Sequence, residues 1–379
     1  MKLITSFVGI NNVSAQERLT SGEMKTASNV DLTSTGALVT RRGHTLLRAG
    51  TCVHSLYEAA FGLLCVIEAD LVLISFDGAS RTLIQRALGH TRVWYATLPD
   101  GRVAFSNGLI NGLTGGGVAV PWGVLVPTEA GNAAAGATPY WLTYSRHSDR
   151  LESAPLYGPP TSVDALITGL PQRDGYDINV YFALDGLTGF LAGSTSTDEF
   201  RFAGAPSALV NPCVTEHLVP PPPGRCMVRW KSRVLMASGK VVWATSPFQY
   251  EQTDARRDFV QMPDDITFIY GGDAGVWVGT TADLFFLRGD TFDGLVQEQV
   301  IGKPVLLGSG AATTFALLPK EKQPDIGGAF CIVGGNVCAC GDNGVPLVFA
   351  AAQYTTAMTE VIATVRIRDG VLQYMASQA

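Results

Sequence analysis

The sequence contains no run approaching the roughly 18 consecutive apolar residues needed for a membrane-spanning helix. Its opening is also a poor secretory leader, because Thr5, Ser6, Gly9 and Asn11 interrupt the apolar stretch after Lys2. Charge is scarce: Asp, Glu, Lys and Arg make up 16% of 379 residues against 46% hydrophobic ones, a balance that excludes a disordered chain. The net charge of −6 provides no basic field of the kind that holds nucleic acid, although an acidic wall suits DNA that only slides past. Histidine is limited to positions 44, 54, 90, 147 and 217, none in the spacing of a nucleophile's base or a ligand pair. The seven cysteines (52, 65, 213, 226, 331, 338 and 340) are odd in number and scattered, so synthesis in a reducing cytoplasm is expected, without a disulfide framework.

Glycine, by contrast, is plentiful, with 42 residues beside 20 prolines. Glycine costs about 1 kcal/mol relative to alanine inside a helix, whereas tight turns between short strands accept it. The composition therefore predicts an all-β protein.

Residues 1–50 read as an N-terminal arm and hairpin: a polar, extended stretch over 10–28, then strands at 29–32 and 37–41 about Ser34-Thr35-Gly36. Over 51–122 short strands recur, including Gly62–Glu68, Asp70–Phe76, Arg102–Ser106 and Leu109–Asn111, with Asp77-Gly78, Asp100-Gly101 and Asn107-Gly108 as turns. Four-stranded meanders at a period of about 35–45 residues suit propeller blades, and a jelly roll or sandwich gives similar spacing. A small-residue linker follows over 123–137, then 138–206, where Tyr140–Ser145, Ser162–Pro171 and Asp177–Leu184 suggest an inserted fibronectin- or immunoglobulin-like β-sandwich. A proline-rich linker at 207–224, with four prolines at 220–223, reads as a stiff spacer. The strand rounds resume over 225–379 and end on two strong strands, 361–367 and 371–375. The expected architecture is a β-propeller of about five blades, with four or six as alternatives, closed by N- and C-terminal strands.

Candidate sites each meet a plainer explanation. Asp273-Ala274-Gly275-Val276-Trp277 resembles the turn repeated in sialidase propellers, but Gly271 leads where Ser or Thr belongs and the spacing is short. Glu251, Asp254, Asp258, Asp264 and Asp265 cluster, yet a glycosidase needs two carboxyls held roughly 5 to 9 Å apart across a bond. With Arg256 and Arg257 they read as a solvated or partner-facing loop. Cys338 and Cys340 point to one side of a strand with Cys331 upstream, but no histidine is near, and buried small side chains are the preferred reading. Thr114-Gly115-Gly116-Gly117 lacks the Lys-Ser/Thr of a phosphate loop and reads as a turn. No catalytic, cofactor or metal residue is assigned.

Several segments in order resemble the propeller-containing nozzle or hub proteins of short-tailed bacteriophage tails. They are Phe7–Val13 with Glu17-Arg18-Leu19, Ala27–Leu32, Gly36-Ala37-Leu38, Thr40–Thr45, Trp230–Leu235, Trp243–Phe248, and Gly275–Thr280 ahead of Leu284–Gly289. The resemblance covers most of the chain outside the insert. It implies a structural, non-enzymatic virion protein, made in the host bacterial cytoplasm and assembled in the tail as a homo-oligomeric ring, commonly a hexamer. Its implied partners are the head-to-tail adaptor or portal, tail fibres or spikes, and DNA in non-specific passage. At 379 residues the chain is short for a nozzle, which leaves room for a plug, an adaptor or a siphophage tail-associated role. The alternative is a carbohydrate-binding propeller that stacks sugars on Trp94, Trp230, Trp243 or Trp277, each of which also fits a core position. A glycosidase ranks third.

Overall fold

The computed structural model describes residues 9–27, 30–33, 37–40, 43, 46, 49–78, 81–318, 320–349, 355–368 and 370–378. Five antiparallel meander sheets carry the architecture among these residues. Blade 1 comprises His54–Ala59, Gly62–Ile67, Asp70–Ile74 and Arg81–Gln85. Blade 2 has three strands, Trp94–Thr97, Val103–Ser106 and Asn111–Thr114, with a single bridge from Leu113 to Val120 in the fourth place. Blade 3 is Arg225–Trp230, Arg233–Ser238, Val241–Ala244 and Phe259–Gln261. Blade 4 is Ile266–Gly272, Gly275–Thr280, Leu284–Arg288 and Val296–Ile301, and blade 5 is Ala311–Thr314, Gly327–Val333, Asn336–Gly341 and Pro346–Val348.

The middle strands are continuous apolar runs and not alternating ones, because both faces of each blade are covered. Gly275–Thr280 is buried along its whole length. Leu64, Val66 and Leu73 of blade 1 meet Val103 and Phe105 of blade 2. Ala104 and Leu113 meet Met227, Val234 and Met236 of blade 3. Trp230 and Leu235 meet Val276 and Phe285 of blade 4, and Trp277 and Phe286 meet Ala329 and Cys331 of blade 5. This succession of stacked meanders is a five-bladed propeller.

The chain ends meet beside blade 5. Val361–Arg368 and Val371–Gln378 form a hairpin whose Val365, Leu372 and Tyr374 pack against Phe330. The buried carboxylate of Asp31, on the hairpin Val30–Leu32/Leu38–Thr40, accepts hydrogen bonds from both Arg366 and Arg368. Among the described residues the two segments do not share a blade: they are separate two-stranded hairpins clasped by side chains. Asn29, Arg41 and the turn at 34–36 lie outside the described residues. The arm expected to be extended over 10–28 instead folds back, with Gly9–Ile10 pairing in parallel with Glu23–Met24. Asn11 explains the reversal: it is buried, its side chain donates to Glu23 at 3.2 Å and accepts from the Ser14 amide at 2.9 Å.

The insert is a β-sandwich. One layer orders Leu156–Tyr157, Tyr140–Arg146, Tyr176–Phe182 and Phe190–Thr195, and the other pairs Leu166–Thr168 with Glu199–Arg201. Tyr140 and Tyr144 lie in its core and donate to Ala130 O and Pro171 O, both at 2.6 Å. Its expected limits need correction. Val124 and Leu209 belong to the same core, Asn132 bridges to Thr168, and Pro212 bridges to Phe190. The supposed linkers 123–137 and 207–224 are therefore packed, since small residues and prolines suit edge segments as well as they suit tethers. Pro221 is buried and its carbonyl accepts from Asn111 Nδ2 at 2.7 Å, which fixes the proline run along blade 2.

One turn of blade 5 shows how closely the following chain packs against it. Gly334 (φ +55°) and Gly335 (φ +83°) link the second and third strands of blade 5, both in the left-handed region that a type I′ hairpin requires. A Cβ at Gly335 would stand 2.7 Å from Thr355 Oγ1 and 3.0 Å from Thr356 O. Gly335→Val should lower stability by about 1–3 kcal/mol through backbone strain alone, plus the clash. Gly89→Ala (φ +75°), with nothing within 4 Å of its Cβ, should cost less in the same urea melt.

Candidate interaction surface

The segment between the third and fourth strands of blade 3, residues 245–258, is where blade 2, blade 3 and the insert converge. Its base is a buried ion pair: Arg233 Nη1 lies 2.7 Å from Asp258 Oδ1, and the Asp258 side chain is 0% exposed. Asp258 Oδ2 also accepts from Ser246 Oγ at 3.0 Å and the Asp254 amide at 2.9 Å, while Arg233 donates to Thr245 O at 2.8 Å. A charge removed from water is tolerated only when its hydrogen-bonding capacity is filled in this way. Thr253–Asp254 pairs with Leu218–Val219, locking the loop to the chain returning from the insert.

Glu251 ties three bodies together. Its buried carboxylate lies 2.7 Å from Arg102 of blade 2 and 2.9 Å from Arg146 of the insert. Beside it, Trp122 Nε1 donates to Tyr250 O at 2.7 Å and Gln252 Nε2 to Glu152 O at 2.8 Å. Asp254 holds Arg256 at 3.1 Å and Arg257 at 3.3 Å. The hydrogen bond from Arg256 holds the Asp254 carboxyl below its ordinary range against the opposing effect of burial.

Phe248 projects from this scaffold. It is 79% exposed, sits at φ +60°, and is held by its amide bond to Ser232 O at 2.8 Å. The left-handed region costs a non-glycine residue roughly 1–2 kcal/mol. Val214, also exposed, lines an adjoining cleft of about 330 Å³ together with His217, Pro247, Gln249, Arg256 and Arg257. An aromatic knob beside arginines is the composition enriched at the buried centres of protein interfaces.

The expected carboxylate cluster thus divides. Glu251, Asp254 and Asp258 are engaged by arginines before the strand Phe259–Gln261; Asp264 and Asp265 follow it at the opposite end, Asp264 at 3.7 Å from Lys240. Asp273 lies in a two-residue turn, and Trp277 is core, donating to Gly341 O at 2.8 Å with its ring 4.8 Å from Phe286. Trp230 is likewise buried and donates to Gly272 O at 2.8 Å. Trp243 is half-buried against Phe259, and Trp94 lies under Arg92 in a cavity of about 180 Å³ bounded by blades 2 to 5. Gly115–Gly117 form a turn closed by Thr114 Oγ1 on Gly117 O at 3.0 Å. His147 meets Asp177 at 2.9 Å and His217 meets Glu216 at 3.6 Å. Burial, then the neighbouring His90, pushes the His54 imidazole down, and His44 lies outside the described residues. Cys331, Cys338 and Cys340 come together in the core between blades 4 and 5. The sequence signalled the loop's polarity but not Phe248 as its tip; the backbone inversion that exposes the ring has no marker in a Ser-Pro-Phe string.

No family model and no curated protein matches the sequence. Among solved structures, the chain is similar to virginiamycin B lyase from Staphylococcus aureus at 10% identity, covering 85% of this chain and 90% of that one with a TM-score of 0.33. It is similar to BBS1N in complex with ARL6DN at 8% identity, with 87% and 92% covered and a TM-score of 0.31. A computationally designed protein, Ika8, is similar at 10% identity, with 86% and 93% covered and a TM-score of 0.28. No helix among the described residues is long and apolar enough to cross a membrane.

Two outcomes test the scaffold. Asp258→Ala strands Arg233 in the core and should cost about 3–5 kcal/mol in chemical denaturation. Asp254, with its folded pKa lowered, contributes stability that is complete above its unfolded value of about 3.9 and is lost as pH falls through the folded value. Asp254→Asn should therefore flatten the acid limb of a plot of Tm against pH.

Proposed function

We propose that this chain is a non-enzymatic building block of a short-tailed phage tail, a subunit of a homo-oligomeric ring at the distal end of the portal–adaptor channel. In that place it retains DNA, lets it leave, and offers attachment to fibres. The observation that carries the reading is the presentation of Phe248. Two of the segments that resemble tail proteins, Trp230–Leu235 and Trp243–Phe248, build this one feature: Ser232 O holds the Phe248 amide, while Arg233, Thr245 and Ser246 form the buried base. A solitary protein gains nothing from an aromatic ring held in solvent by strained backbone, whereas a subunit gains an anchor for its neighbour. The mild negative charge fits a wall along which DNA slides without adhering.

Mass photometry of the chain, alone and co-expressed with its cognate portal and adaptor, should reveal a ring. Phe248→Asp should shift it to monomer while leaving the circular dichroism spectrum and Tm unchanged. A strict monomer in every mixture would remove the reading. A ring unaffected by Phe248→Asp would remove the assignment of its interface to this loop.

A further inference from the structure

Blade 5 gathers three of the seven cysteines. Cys331 lies directly opposite Cys338 across the antiparallel pair, and Cys340 follows two residues on, so all three thiols leave the sheet on one face. There they are enclosed by Trp277, Phe286, Val305 and Ala329, where blade 4 packs against blade 5. The side chains are fully buried, their sulfur atoms all lie within 4.8 Å of one another, and Cys331 and Cys340 are 3.6 Å apart. Small apolar side chains could fill this space equally well, but they would not bring three soft donor atoms to one point.

That triangle has the dimensions of a metal site. With a metal–thiolate bond of about 2.3 Å, three sulfurs around a trigonal ion stand about 4 Å apart. We propose that Cys331, Cys338 and Cys340 form a three-thiolate site for a thiophilic d10 cation of the zinc, cadmium and copper(I) class. Each thiol gives up its proton to solvent as its metal–sulfur bond forms, without any change of oxidation state. Three thiolates leave a net charge of −1 around a divalent ion and −2 around copper(I), so the apolar surroundings favour the divalent ion. The ligand count favours copper(I), because structural zinc ordinarily takes four ligands and the cluster holds three described ones. Enclosure on every side implies that the ion enters while blades 4 and 5 come together.

The test uses the full-length protein, expressed in medium supplemented with zinc or copper, purified without oxygen and analysed by elemental mass spectrometry. In parallel, the metal-free protein is titrated with cadmium and followed by the ultraviolet sulfur-to-cadmium charge-transfer band. One ion per chain is expected, and the metal recovered distinguishes zinc from copper(I). Loss of even an outer-sphere partner weakens metal binding about ten- to a hundredfold, so Cys331→Ser, Cys338→Ser and Cys340→Ser should each weaken it by at least that much. Cys52→Ser and Cys213→Ser should bind as the parent does. Because a buried serine could impair folding, Cys340→Ala provides the apolar counterpart, with its fold checked by circular dichroism. Absence of all three metals from the parent protein, or undiminished binding in folded Cys340→Ala, would overturn the proposal.

Discussion

The constraint on which the structure depends is that each meander sheet has two apolar faces and neither can be left in water. A blade of four short strands buries too little alone to offset the conformational entropy of ordering it. Stacked side by side, each blade supplies the next with the cover it lacks, in successive apolar layers that hold Leu64 with Phe105, Leu113 with Met236, Leu235 with Phe285 and Phe286 with Cys331. Indole N–H groups fix the angle between neighbours. Trp230 ends the first strand of blade 3 and Trp277 lies in the second strand of blade 4, and each donates to a glycine carbonyl of the blade that follows. These bonds give an otherwise non-directional packing a defined geometry.

Polar contacts are concentrated where that periodic scheme is interrupted. The insert leaves after blade 2 and returns before blade 3, and no repeating apolar layer can hold it against the ring. Glu251 between Arg102 and Arg146, and Gln252 on Glu152 O, take over that task. Buried ion pairs add little net stability compared with apolar contacts, but their directionality sets one orientation. The loop that carries Phe248 is the same loop that orients the insert, so the exposed ring and the attachment of the sandwich are mechanically one object.

Much of the fold was legible in the sequence, because turn dipeptides and apolar runs are local signals. Asp100-Gly101, Asn107-Gly108 and the doubly buried strand around Val276 mark blades without any knowledge of their neighbours. The limits of the insert were not legible. Val124 and Leu209 read as linker because their strings are small or proline-rich, and only the distant Leu142 and Val180 reveal that they are core. The same reason applies to the site. Asp258 looks like any surface aspartate until Arg233 is brought to it across two strands, and the cysteine triad depends on which residue of one strand faces which of the next. Composition marked the loop as polar, while its burial and its aromatic tip are products of tertiary packing.

The clasp of Asp31 by Arg366 and Arg368 also sets a timetable. During synthesis the hairpin that carries Asp31 emerges 335 residues before Arg366 exists. Blades 1 to 4 can stack in order as they leave the ribosome, each covering the one before, while the clasp is still unmade. Most of the apolar layers between blades can thus form before the clasp does. Until the hairpin Val361–Arg368/Val371–Gln378 arrives, the face of Phe330 that it covers stays in water.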